Sequence, residues 1–209
     1  MNVEEFRICV FASGRGSNLQ AIIDAIDRNE LKCRVVFVLS NNSNSGALEI
    51  ARRKDIPAFH LSEKNFHKNT FEESMLDLLD RFRPDLIVLA GYMKLVPEVV
   101  IKKYRNRIVN IHPALLPKFG GKGMYGMNVH QAVFESGEKK SGVTVHLVNE
   151  KYDEGKILFQ QEVDISDCKS PEEIAEKILI VEHQIYPEVI QKIIEGKISL
   201  NNNDRPIAN

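Results

Sequence analysis

The sequence is short of several features that would mark a specialised class. Its three cysteines, Cys9, Cys33 and Cys168, are scattered along 209 residues. Their number is odd and no two form a C-x-x-C pair. No zinc or redox motif is therefore indicated, and a reducing, cytoplasmic compartment is expected. An excess of one charge is missing too: 28 lysines and arginines face 29 aspartates and glutamates. A nucleic-acid binder shows a basic excess or stripe, so nucleic acid is not expected as the main partner, although a local cationic pocket is compatible with the balance. No apolar run approaches the roughly 20 residues of a membrane span. The N-terminal MNVEEFRICVFAS is acidic before its short apolar run, unlike a signal peptide. No internal repeat and no linker divides the chain, so one domain is expected over residues 1–200. The last residues, 201–209, have no apolar pattern and read as a mobile tail.

What is present is a hydrophobic fraction of 43%, enough for one substantial core, arranged in alternation. Strand-like runs lie at Arg7–Ala12, Arg34–Ser40, Asp85–Gly91 and Arg107–Ile111, with a weaker one at Pro57–Leu61. Such near-continuous apolar runs suit a parallel sheet covered on both faces. Between them, Leu19, Ile22, Ile23 and Ile26 share one helical face, as do Met75, Leu78, Leu79 and Phe82. Strand and helix in alternation predict an α/β fold with a doubly wound, mostly parallel sheet. The second half differs. Ser141–Val148 and Lys156–Ile165 alternate in polarity and read as an antiparallel pair appended to the sheet. A long helix follows, with Ser170 as N-cap, Pro171 at its first position, Glu173 closing a capping box, and Gly196 stopping it after about Glu195.

The first strand runs into ASGRGSNLQ, Ala12–Gln20. Gly14 and Gly16 allow a tight turn, with Ser17 expected to cap the following helix and Gln20 at the box position. Amides at a helix N-terminus attract an anion, most often phosphate. A dinucleotide site would need a third small residue at position 19, which is leucine, and an acid about 20 residues on. The second strand ends instead in Ser40-Asn41-Asn42. No Gly-Lys-Ser/Thr follows, so a P-loop is excluded as well. A monophosphate seat fits best; a plain glycine turn is the alternative.

A second stretch carries chemistry. In an open parallel sheet, ligands gather beyond the carboxyl ends of the strands. Asn110 and His112 lie at such an end, two residues apart and so on one side of an extended chain. Pro113 stops the strand there. Asparagine is a neutral donor suited to a developing oxyanion, and histidine exchanges protons near neutral pH. Asp153, in the KYDEGK turn, is the candidate carboxylate to orient the imidazole and raise its pKa. His60, His67, His130, His146 and His183 carry no catalytic assignment.

Six segments, SGRGSNLQAII, LAGYMKLV, NIHPALLPKF, VHQA, GVTVHLVNEKYDEG and EHQIYP, in this order and spacing from Arg7 to about Leu200, resemble the glycinamide ribonucleotide formyltransferase family of folate-dependent enzymes. The resemblance implies transfer of a formyl group from 10-formyltetrahydrofolate, as co-substrate, to the amine of glycinamide ribonucleotide, with no metal. It implies a phosphate-binding half over about 1–110 and a folate-binding half over about 111–200. Gly16, Ser17 and Asn18 would hold the phosphate. Met93, Lys94, Leu95 and Val96 would line the pterin pocket, and Asn149, Glu150, Lys151, Tyr152 and Asp153 would cover the folate. Asn110 would touch the donor and stabilise the oxyanion, His112 would be the general acid, and Asp153 would tune it. Glu182 would contact the glycinamide end, with Leu179, Ile180 and Val181 in the same segment. Small-molecule partners and a monomer or homodimer are implied.

Three departures stand out. A family arginine on the folate side falls at Asn69, beside Lys68. The Gly120–His130 stretch is longer than in some relatives, and Leu179 stands where some carry a polar residue. Rival readings remain. Methionyl-tRNA formyltransferase has an additional C-terminal nucleic-acid-binding domain, and formyltetrahydrofolate hydrolase has an N-terminal regulatory domain and lacks the SGxGSNL loop; both are expected to fit less well. A non-catalytic anion- or nucleotide-binding module would use the glycine loop and leave Asn110 and His112 structural.

Overall fold

Strand β1, Arg7–Phe11, is an apolar run without polar alternation, and it lies where such a run is stable, between two neighbours. It pairs in parallel with β2 (Arg34–Ser40) on one side and with β4 (Leu86–Leu89) on the other. β2 also pairs in parallel with the short β3 (Ala58–His60). Ile8 through Ala12 are fully buried, as continuous hydrophobicity requires of a strand covered on both faces. The computed structural model describes residues 5–66 and 68–201, and only the backbone at Lys68 and Asn69. The folate-side role considered for Asn69, and the tail from 202 onward, lie outside the described residues.

The strand order is β3-β2-β1-β4-β5-β6-β7. The chain forms two compact units, Met1–Ile108 and Val109–Asn209. The first unit holds the parallel strands with α1 (Ser17–Asp27), α2 (Gly46–Arg53), α3 (Lys68–Phe82), α4 (Glu98–Lys103) and a 3-10 turn at Glu63–Asn65. Phe37 joins its strands to α3: its ring lies 5.1 Å from that of Phe82, which in turn sits 5.6 Å from Phe59. Full burial of a ring such as Phe37 contributes about 1.5–3 kcal/mol. The long sequence runs predict the strands to within one or two residues. α2 and α4, at 8 and 6 residues, have no counterpart in the periodicity reading, because two turns offer too few positions for a face to show. A cap fixes α2 instead: the Ser45 hydroxyl accepts from the Leu48 amide.

The second unit is antiparallel. β5 (Ile108–His112) pairs with β6 (Lys140–Leu147), which pairs with β7 (Ile157–Asp164). Helices α5 (Met127–Glu135) and α6 (Pro171–Ile194) complete it. Gly142 on β6 is required by its neighbour, since a β-carbon there would collide with the Gln161 carbonyl. α6 buries Ile174, Ile178, Ile185, Val189 and Ile193 at helical spacing. Ser170 caps α6 by accepting from the Glu173 amide. The Glu173 carboxylate reaches the amide of Lys169 rather than that of the cap residue, at 2.7 Å, one residue earlier than a capping box places it. Gly196, at φ 70°, ends the helix as expected.

Candidate active site

In the first unit the glycine loop is shaped by close approach of main chain to main chain. Gly16 takes φ 84°, and a β-carbon there would lie 2.7 Å from the Ala47 Cα. A β-carbon on Gly46 would meet the Arg15 carbonyl at 2.5 Å. The N-cap of α1 is Gly16, not Ser17 as expected, and no side chain caps the helix. The left-handed turn that only glycine makes without cost starts the helix one residue early, so Ser17 is already helical. Gln20 correspondingly bonds Asp24 along the helix, at 2.7 Å, instead of closing a box. The first-turn amides of α1, Ser17 and Asn18 among them, have no acceptor inside the helix and face an anion favourably.

Ser13 fastens this loop to the segment expected to line the pterin. Its amide donates to the Gly91 carbonyl, and its hydroxyl accepts from the Met93 amide at 2.8 Å and donates to Asn41 Oδ1 at 2.5 Å. Met93, Lys94 and Leu95 are exposed and Val96 is buried. Three of its four residues therefore lie open to solvent on an anchored base.

In the second unit, side chains converge. Asn110 and His112 lie on β5, directly opposite His146 and Thr144 of β6. His112 is 3% exposed, yet every polar atom of its ring has company. Nε2 lies 2.8 Å from the Phe119 carbonyl, which can only accept, so that nitrogen carries a proton. Nδ1 faces Asp153 Oδ2 at 3.7 Å. The same carboxylate oxygen accepts from the Gly121 amide at 2.9 Å, while Oδ1 lies 3.5 Å from His146 Nε2. Asp153 sits at φ 55°, in a turn closed by Gly155, whose missing side chain lets the Leu147 carbonyl approach. Asn110, His112 and Asp153 thus come together as the sequence suggested.

Electrostatics separates the two titrating groups. Burial is the largest influence on His112 and lowers its pKa; Asp153 and the Phe119 carbonyl pull it upward, and His146 lowers it. The upward pull expected of Asp153 is there, but desolvation outweighs it and the net pKa lies below 6.5. Burial raises the Asp153 carboxyl, but the His146 and His112 rings and the Gly121 amide more than offset that and hold it below its ordinary value. Near neutral pH the pair is an ionised carboxylate beside a neutral imidazole able to receive a proton.

The remaining expected residues are placed as follows. Asn149 is half-buried and accepts from the Lys151 amide; Glu150, Lys151 and Tyr152 are exposed around Asp153. On α6, Glu182 is buried, Leu179 and Val181 are half-buried, and Ile180 is 60% exposed. Sequence reasoning missed three participants. His146, one of the histidines without an assignment from sequence, lies between Asn110 and Asp153. Thr144 is buried; its hydroxyl donates to the Ala114 carbonyl at 2.6 Å and accepts from the Leu116 amide, pinning the chain beyond His112. His130 on α5 is buried with Nδ1 unpartnered, and burial followed by the nearby His112 lowers its pKa to about 4. The signal for His146 and Thr144 was their spacing of two on an alternating strand, the same spacing that singled out Asn110 and His112.

A model of the formyl transferase family matches residues 6–190. The chain belongs to the formyl transferase family. Among curated formyl transferases, phosphoribosylglycinamide formyltransferase of Haemophilus influenzae is 38% identical over 198 residues, covering 94% of this chain and 91% of that protein. The chloroplastic phosphoribosylglycinamide formyltransferase of Arabidopsis thaliana is 39% identical over 203 residues, 96% of this chain and 70% of that one. The crystal structure of glycinamide ribonucleotide transformylase 1 from Symbiobacterium toebii superposes with a TM-score of 0.88 at 36% identity, covering 96% of this chain and 93% of that chain. The Symbiobacterium toebii structure thus shares the fold described above.

Proposed function

We propose that this formyl transferase moves a formyl group from 10-formyltetrahydrofolate to the amine of glycinamide ribonucleotide, giving formylglycinamide ribonucleotide and tetrahydrofolate. The observation that carries the reading is the convergence of Asn110, His112 and Asp153 within hydrogen-bonding or ion-pairing reach of shared partners. It occurs in a chain that matches enzymes of that name over nearly its whole length.

The chemistry follows from the charges. The neutral amine attacks the formyl carbon, and its carbonyl oxygen becomes an oxyanion that an Asn110 amide N–H stabilises. The nitrogen that attacked now carries a proton it must lose, and the folate nitrogen must gain one as its bond to carbon breaks. A neutral His112 beside an ionised Asp153 is suited to both halves. The imidazole takes up a proton at the nitrogen facing the carboxylate, which stabilises the imidazolium, and then gives it to the departing nitrogen. The first-turn amides of α1 at Ser17 and Asn18 receive the ribonucleotide phosphate. Met93–Val96 and Asn149–Asp153 receive the folate, and Glu182 the glycinamide end. The three unpaired cysteines support a reducing, cytoplasmic setting.

The test is to mix the protein with both substrates and follow tetrahydrofolate. Release that depends on the ribonucleotide is expected. Equal release without it would make the protein a hydrolase, and no release with either would overturn the reading.

A further inference from the structure

His146 is 2% exposed and lies at the one point where the β6–β7 register shifts, between Val145 and His146. Among the described residues, three polar groups lie against its ring nitrogens. Nδ1 is 2.9 Å from the Leu147 carbonyl oxygen. Nε2 is 3.1 Å from Asn110 Nδ2 and 3.5 Å from Asp153 Oδ1. A carbonyl only accepts, so Nδ1 carries a proton. Two groups then compete for Nε2, and they demand opposite things of it: the amide needs a lone pair, the carboxylate needs a second proton. The amide lies inside normal hydrogen-bond range and the carboxylate at its outer limit.

From this geometry we infer that His146 is a positioning residue for formyl transfer: as the neutral Nδ1–H tautomer, it fixes which way the Asn110 amide points. The inference rests on the proposed function. An asparagine amide has two nearly isosteric ends, one that donates and one that only accepts. Nothing else described around Asn110 distinguishes them. With Nε2 as acceptor, one Nδ2 hydrogen is held by His146 and the other remains for the oxyanion. With a proton on Nε2, the amide turns over, Oδ1 faces the ring, and the acceptor end occupies the place where negative charge develops. The tautomer of a residue that never touches substrate thereby sets the sign of the dipole at the reacting carbon. The Leu147 carbonyl, held by the paired end of β6, in turn sets the tautomer.

Two measurements test this. In the wild-type protein with 15N-labelled histidine, His146 should show a pyrrole-type Nδ1 and a pyridine-type Nε2 by NMR. A protonated Nε2 at neutral pH, in either the other tautomer or an imidazolium, overturns the inference. In kinetics, His146→Leu should lower kcat roughly 10- to 100-fold, short of or equal to the loss of an oxyanion donor, with both KM values within about threefold. His146→Gln, which can offer its own carbonyl to Asn110, should retain more of the rate. In an Asn110→Ala background, His146→Leu should cost little more, because the two act through one amide. Fully additive losses, or a loss confined to KM, would sink it. Failure of wild-type transfer would instead sink the proposed function, and the NMR readout does not depend on turnover.

Discussion

The two units would, on the proposed function, meet their ligands by opposite means. The first uses main chain. Its loop is defined by where side chains are absent, at Gly16 and Gly46, and the α1 amides are the groups proposed to receive the phosphate. The second would use side chains, Asn110, His112 and Asp153, with His146 behind them, brought together by antiparallel pairing and one turn. A main-chain site is broken by adding a β-carbon, while a side-chain site is broken by changing one functional group. The first damage falls on binding and folding together, the second on rate.

The sharpest break is expected at Asp153. Replacing it with asparagine should lower kcat roughly 10²- to 10⁴-fold, the range for a lost acid–base partner. It should also remove the larger upward pull on His112 and leave only the Phe119 carbonyl to oppose burial. The limb of the kcat–pH profile that belongs to His112 should move to lower pH. A profile unchanged in position would take Asp153 out of the mechanism. Next comes Gly16→Ala. The positive φ and the collision with Ala47 should cost about 1–3 kcal/mol of stability. Ribonucleotide KM should rise while kcat at saturation falls far less than in Asp153→Asn. Thermal melts and steady-state kinetics on both variants check the contrast; a pure kcat effect at Gly16 would abolish it.

The smallest effect is expected at His130. Its pKa in the folded protein, about 4, lies below the ordinary 6.5. As pH falls below 6.5 the unfolded chain takes up the proton first. The stability His130 contributes by staying neutral is therefore complete above pH 6.5 and is lost as pH falls toward 4. After solvent screening is allowed for, this amounts to about 2 kcal/mol. His130→Leu should keep its melting temperature at pH 7 and lose less than the wild type at about pH 4.5. His112, lowered in the same direction, leaves a residual acid loss in the variant. Equal losses in both proteins would show that His130 does not carry the effect.

The same contrast governs what the sequence made legible. Buried parallel strands are read from composition, because a strand covered on both faces must be apolar throughout; β1, β2 and β4 follow. A loop built by missing side chains is read from its glycines, though not the residue that starts α1, since a left-handed Gly16 outcompetes a serine cap. Short helices escaped: α5 begins after Gly126 with a single turn's worth of apolar spacing, and its buried face shows only once α6 is in place. Asp153 was legible because a carboxylate in a glycine turn is chemically conspicuous. His146 was not, because its importance lies in which residue of β5 it faces, and register across an antiparallel pair is decided by the whole ladder. Had the pairing slipped by one, the ring would have met Val109 or Ile111 and been an ordinary core histidine.

Gly155 shows how narrowly that acid is aimed. Lys151, Tyr152 and Glu154 look out to solvent and leave the turn free to change its chemistry. Two residues beyond Asp153, however, the chain passes the Leu147 carbonyl with a hydrogen where any other residue would put a carbon. An alanine there would collide with the Leu147 carbonyl, so the turn that carries the carboxylate tolerates no methyl group at its close.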